Sequence, residues 1–137
     1  MTPFLHLNKY KNAGLLIIRL GLGVLFIYHG LPKLWGGPPR WEHLGEAMGL
    51  IGIHFFPVFW GLMCAVTETL GGLLIIAGLA FRPACLLLVF NLLIAAMFTY
   101  KVDASFAATT HAIEDAIIFA GLFFIGPGSI SLDKTWD

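Results

Sequence analysis

Long apolar runs alternate with short polar breaks along this chain, and each run has the length of a membrane span. About 20 mostly apolar residues, coiled as a helix, cross the hydrocarbon core of a bilayer. Four stretches qualify: about Ala13 to Leu31, Phe55 to Ala80, Ala84 to Tyr100 and Ala108 to Ile125. Gly30 and Pro32 are expected to end the first, Arg82-Pro83 to separate the second from the third, and Gly126-Pro127-Gly128 to end the fourth. Phe81-Arg82-Pro83 reads as a tight turn that makes its flanking helices antiparallel neighbours. The longer break, Pro32 to His54, is amphipathic. Trp41, Leu44, Met48 and Ile51 recur at helical spacing with Arg40, Glu42, His43 and Glu46 between them. That pattern predicts a short helix lying on the membrane surface. The expected fold is therefore an all-α membrane protein, a single four-transmembrane-helix bundle over residues 1–137, with an interfacial helix between helices 1 and 2.

Composition excludes most other classes. Of 137 residues 58% are hydrophobic and 12% charged, about half the charged share of a soluble domain. A soluble chain of this size has too much surface for its core to hide that apolar content. Eight basic residues balance eight acidic ones, so the basic excess of a nucleic-acid binder is missing. Met1 to Asn12 resembles the polar start of a signal peptide, but no small-residue cleavage site follows the apolar run. It is expected to lead into a retained helix. Lys9, Lys11, Arg82 and Lys134 fall on one side of the four spans, with Arg19 just inside, and Lys33, Arg40 and Lys101 on the other. The positive-inside rule then places both termini in the cytoplasm.

The candidate chemistry lies in residues that are costly in lipid. Ionisable side chains inside a bilayer face protein or water. Glu68 sits near the middle of the second span, Asn91 at a similar depth in the third, and Arg19 about 8 Å inside the first by helical rise. Two readings of Glu68 stand: a proton or ligand site, or a structural tie to Arg19 and Asn91. Arg19 has a third option, reaching back to the inner surface. Small residues cluster here, Gly61, Cys64, Ala65, Gly71 and Gly72 around Glu68, and Gly23 and Gly30 on the Arg19 face. They allow close helix approach.

A second cluster lies near the outer end. His111, Glu114 and Asp115 share one helix face, and His29 and Lys33 reach a similar level on the first helix. This group suits proton transfer or a polar headgroup, or is an ordinary wet helix end. His-x-x-Glu occurs at His111 and at His43, but the spacing is common by chance and no metal site is assigned. Cys64 and Cys85 fall at opposite depths, too far apart for a disulfide. There is no Cys-x-x-Cys-His, no Gly-x-Gly-x-x-Gly and no P-loop. The catalytic candidates are thus Glu68, His111, Glu114 and Asp115, and the ligand-binding candidates Arg19, His29, Lys33, Glu68 and Asn91.

Several motifs combine into a resemblance. They are Ile18-Arg19-Leu20, Tyr28-His29-Gly30-Leu31-Pro32-Lys33-Leu34, Glu68-Thr69-Leu70-Gly71-Gly72, Gly78 to Pro83, Asn91, and the closing Gly126-Pro127-Gly128-Ser129-Ile130-Ser131-Leu132-Asp133. Together they resemble the DoxX family of small bacterial membrane proteins. The resemblance implies a four-helix protein of the bacterial inner membrane, with Arg19, Lys33, Glu68, Asn91 and Asp133 as family-motif positions. It implies a range of functions, from subunits of quinol-oxidase and thiosulfate:quinone oxidoreductase systems to cargo receptors and assembly factors. The His111, Glu114 and Asp115 face matches no family motif. Two functions remain open at this level. One is a membrane subunit in quinone-linked or thiol-linked redox metabolism, without its own cofactor motif and working with a cofactor-bearing redox partner. The other is a non-catalytic scaffold, carrier or assembly factor. Quinone is the ligand considered, and a homo-oligomer stays open. A quinone site needs hydrogen-bond donors facing an apolar slot open to lipid.

Overall fold

A computed structural model describes residues 3–103 and 106–133 of the chain. Lys134, used in the charge balance, and the Asp103 side chain lie outside that description. The described residues are helical, with no strand. A 3-10 turn, Leu5–Tyr10, leads directly into α1 (Lys11–Trp35). Then come α2 (Gly37–Gly45), a 3-10 segment (Glu46–Ile51), α3 (Pro57–Ala77), α4 (Phe81–Asp103) and α5 (Phe106–Ile125). Three helical stretches, Leu5–Trp35, Pro57–Ala77 and Phe81–Val102, are long and apolar enough to cross a membrane. Large apolar side chains such as Ile17, Val24, Leu73, Leu86, Leu93 and Ile117 point outward and are exposed. A soluble monomer does not carry so extensive an apolar exterior, whereas lipid covers it without cost.

α1 packs on α3, α3 on α4 and α4 on α5. The core joins Phe26 of α1, Ile75 of α3, Leu88 of α4 and Phe119 of α5. Phe26 and Phe119 meet edge to face at 5.1 Å. The α1–α3 contact depends on glycine. A methyl group on Gly23 would come within 2.7 Å of the Gly72 carbonyl, and one on Gly72 equally close to that of Gly23. In lipid, this close packing is what drives association.

Two expected boundaries shift. Pro32 does not end the first helix, which continues to Trp35. A proline in the last turn removes only one ladder bond, and the Trp41 indole N–H restores a tie there by donating to the Lys33 carbonyl (2.9 Å). The turn between α3 and α4 is at Gly78 to Ala80 rather than at Phe81-Arg82-Pro83. Pro83 instead sits in the first turn of α4, where its missing N–H has no helical partner to lose. The segment after α1 is helical, as its pattern predicts, and it is anchored to the bundle. α2 folds onto the start of α3, so tightly that a methyl group on Gly61 would overlap the Trp41 carbonyl and one on Gly45 would overlap that of Pro57.

Candidate functional site

Arg19, Gly23, Phe26 and Gly30 form the buried stripe of α1. The spacing is helical, and one further turn brings Lys33 onto the same face. Because α1 and α3 run antiparallel, each step forward on α1 is a step back on α3. Gly23 lies against Gly72, and Gly30 against Glu68 and Thr69. Arg19 therefore falls beside Ile75 and Ile76, and Lys33 beside Glu68.

This register decides the fate of the two buried charges. Glu68 is buried, its side chain 6% exposed. It accepts from Lys33 Nζ at 2.8 Å on Oε1 and 2.9 Å on Oε2. Asn91 Nδ2 donates to Oε1 at 3.1 Å, and the Cys64 thiol is 3.9 Å from the same oxygen. The tie from Glu68 to Asn91 is present, but the partner charge is Lys33. Arg19 does not reach Glu68.

Arg19 is only 1% exposed, so it does not extend to the inner surface either. Its Nε donates to the Ile75 carbonyl (2.9 Å) and Nη2 to that of Ile76 (2.7 Å). Its Nη1 donates to the carbonyls of Pro127 (3.1 Å) and Ile130. The last carbonyls of a helix lack intrahelical partners and carry partial negative charge, so a guanidinium there is held by electrostatics as well as by hydrogen bonds. Asp133 completes the latch. Its two carboxylate oxygens accept from Ala80 N (2.8 Å) and Phe81 N (2.7 Å) at the start of α4. Its own N–H donates to the Gly78 carbonyl (2.9 Å). Gly78 has φ +67° and ends α3 with the paired bonds Gly78 N to Ile75 O and Leu79 N to Leu74 O. The closing motif thus staples the chain end to the α3–α4 turn, and Arg19 and Asp133 have structural places.

A cavity of about 610 Å³ lies between α3 and α4, in the size range of small-molecule sites. Lys33, Cys64, Glu68 and Asn91 form a polar patch in its wall. The rest is apolar. Leu70, Leu87 and Phe90, themselves exposed on the outer surface, line it, so it opens sideways where lipid would lie. Leu44, Ala47 and Met48, from α2 and the 3-10 segment, cover the end beside Trp60 and Phe98. A smaller recess of about 460 Å³, with Glu46, His54 and Lys101 in its wall, shares Phe98 with the cavity.

Of the five ligand-binding candidates, the cavity brings together Lys33, Glu68 and Asn91. Arg19 is outside it, in the latch. His29 is exposed on α1 and packs on Tyr28 at 5.6 Å. His111 and Glu114 are exposed, and Asp115 is half-buried. His29, His111 and Glu114 lie within electrostatic range of Asp115; of the group expected near that end, only Lys33 lines the cavity. Sequence reasoning missed Trp41 and Trp60. The Trp41 tie depends on α2 folding back, which no local pattern shows. Trp60 follows Phe55, Phe56 and Phe59 in the sequence, and nothing in its spacing sets it apart.

Comparison with known proteins agrees with this architecture. Residues 14–102 match the DoxX family. Over 100 residues, 73% of this chain and 69% of the relative, the chain is 35% identical to a Bacillus subtilis (strain 168) protein named "Putative oxidoreductase CatD". No solved structure matches. The chain belongs to the DoxX family, and its three apolar helices fit a multi-pass membrane protein.

Proposed function

For this DoxX-family membrane protein we propose a role as the quinone-binding subunit of a membrane oxidoreductase, with electrons supplied by a partner that carries the redox cofactor. One observation carries the reading: an apolar cavity, open towards lipid, ends on the Lys33–Glu68–Asn91 cluster. A lipid-soluble quinone needs both parts, an apolar slot for ring and tail and donors for its oxygens. The name of the Bacillus subtilis relative supports an oxidoreductase setting.

The residues divide the work. An ammonium has three N–H bonds. Lys33 turns two towards Glu68, which leaves one for a quinone oxygen. Asn91 holds the carboxylate in place. Reduction of a quinone takes up two electrons and two protons. The Lys33–Glu68 pair hands on both protons in turn, recharged from water after each, while the two electrons come from the partner. The charged pair costs little while it stays paired, and an approaching oxygen shares donors already oriented.

In this reading α5 is the fourth span, the protein sits in the bacterial cytoplasmic membrane, and both termini face the cytoplasm. The outer end then holds α2, Glu46, Lys101 and the His29, His111, Glu114 and Asp115 cluster, which serves proton exchange with the outer water. A second reading, as a non-catalytic scaffold or carrier, draws on the fact that both Glu68 oxygens already have partners within the chain.

Purification from native membranes followed by lipid extraction separates the two. The quinone reading expects quinone to co-purify in near-stoichiometric amount with the wild type and to be lost from Lys33→Met and Glu68→Gln. Wild-type protein free of quinone, and unable to bind an added short-chain quinone, supports the scaffold instead.

A further inference from the structure

The recess of about 460 Å³ lies between α4, the 3-10 segment and the loop that leads into α3. Its walls fix its level in the membrane. Pro57 opens the apolar stretch Pro57–Ala77, and Lys101 and Val102 stand at the end of the stretch Phe81–Val102. The recess therefore sits where hydrocarbon gives way to headgroups, whichever way the chain is oriented. Phe55 and Val102, 59% and 70% exposed, give it an apolar rim.

The polar wall carries both signs of charge. Lys101 comes from α4, and Glu46 from the 3-10 segment that packs on α4. His54 adds an imidazole. A methyl group on Gly49 would lie 3.1 Å from its Cε1 and its Nδ1, so the ring is seated against the 3-10 segment. The ionic neighbour of Glu46 is His43 Nδ1, no closer than 3.9 Å, and both side chains are mostly exposed. Lys101 pairs with no acidic group among the described residues. Both charges can therefore take a ligand.

Such a ligand must answer both. A simple anion meets repulsion from Glu46, and a simple cation meets it from Lys101. A phosphodiester linked through a short carbon chain to a primary ammonium complements the pair, and at this level of the membrane it is a lipid headgroup. We propose that the recess binds the headgroup of a phosphatidylethanolamine. The phosphate oxygens accept from Lys101 Nζ and the His54 imidazole, and the ammonium donates to the Glu46 carboxylate. The acyl chains then run along the apolar rim. A choline headgroup has no N–H for Glu46, and a glycerol headgroup has no cation. This site stands apart from the quinone reading, since the recess and the cavity share Phe98 alone.

The test uses the full chain in detergent micelles with equal amounts of phosphatidylethanolamine, phosphatidylcholine and phosphatidylglycerol, all with the same acyl chains. Native mass spectrometry reads which lipid each protein retains. The wild type should hold one phosphatidylethanolamine about 5- to 10-fold more tightly than either competitor, the value of one further hydrogen bond. Glu46→Gln should erase that preference and leave phosphatidylglycerol undiminished, because the repulsion of its phosphate is gone. Lys101→Gln should weaken all three lipids. Lys9→Gln, an exposed lysine outside the recess, should change none by more than about twofold. Glu46 and Lys101 are exposed, so neither substitution disturbs packing. Equal retention of the three lipids by the wild type, or a preference that survives Glu46→Gln, overturns the proposal. So does equal weakening by Lys9→Gln and Lys101→Gln, which would mark general attraction to basic side chains. Free O-phosphoethanolamine should displace the lipid only weakly, because it lacks the chains on the apolar rim; displacement as effective as that by the whole lipid overturns the membrane source of the ligand.

Discussion

Replacing Glu68 and Lys33, singly and together, tests the centre of the site and the helix register beneath it. Lys33→Met leaves a carboxylate that is 6% exposed beside Asn91 without its cation. Glu68→Gln leaves an ammonium at the same depth facing neutral acceptors. Breaking a buried ion pair from one side costs about 3–5 kcal/mol. Lys33 keeps 23% side-chain exposure, so the cost is somewhat below that range, about 2–4 kcal/mol for each single change. The double variant removes both charges, and much of the loss should return, giving a coupling of about 1–3 kcal/mol. Reversible unfolding in mixed micelles, read by helical circular dichroism, measures all four corners of the cycle. Arg19 supplies the control. Its partners on α3 are Ile75 and Ile76, two turns from Glu68 and so about 10 Å along the helix. Arg19→Gln should be strongly destabilising by itself, because four backbone carbonyls each lose a charged donor, yet it should add to Glu68→Gln within about 0.5 kcal/mol. Additive behaviour of Lys33 with Glu68, or clear coupling of Arg19 with Glu68, would refute the register from which the site is built.

Three further outcomes are expected. Gly61→Ala should lift α2 from α3, because the added methyl meets the backbone of Trp41 rather than a side chain that could move; stability should fall by about 1–3 kcal/mol, and Cys64 should react faster with a thiol reagent as the cavity cover loosens. Asp133→Ala should cost about 0.5–2 kcal/mol in a thermal or denaturant melt by uncapping the start of α4, with quinone content unchanged, since Asp133 is remote from the cavity. In a background with Cys64 and Cys85 replaced, single cysteines at Glu42 and Ser129, both exposed, should be labelled by an impermeant reagent from opposite sides, with Glu42→Cys reacting from outside; labelling of Ser129→Cys from outside would invert the proposed orientation.

Much of the architecture is written in one dimension. Apolar runs of span length, few charges and glycine stripes at helical spacing are local properties, and lipid enforces them: every backbone polar group must be satisfied within its own helix. The helical spans, the family and the special cost of Arg19, Glu68 and Asn91 were therefore legible from the residues. Which charge meets which was not. Depth along a single helix places Arg19 and Lys33 on opposite sides of Glu68 without saying which one reaches it, and the answer depends on the antiparallel offset of α1 and α3, set where Gly23 closes on Gly72. The signal was present in part, since Lys33 continues the stripe of Arg19, Gly23, Phe26 and Gly30, but Pro32 concealed the last turn that carries it. The cavity was beyond reach of the sequence altogether. It is a space between α3 and α4, closed by a helix that folds back through contacts at Gly45 and Gly61, and the absence of packing between two surfaces is a property of neither surface alone.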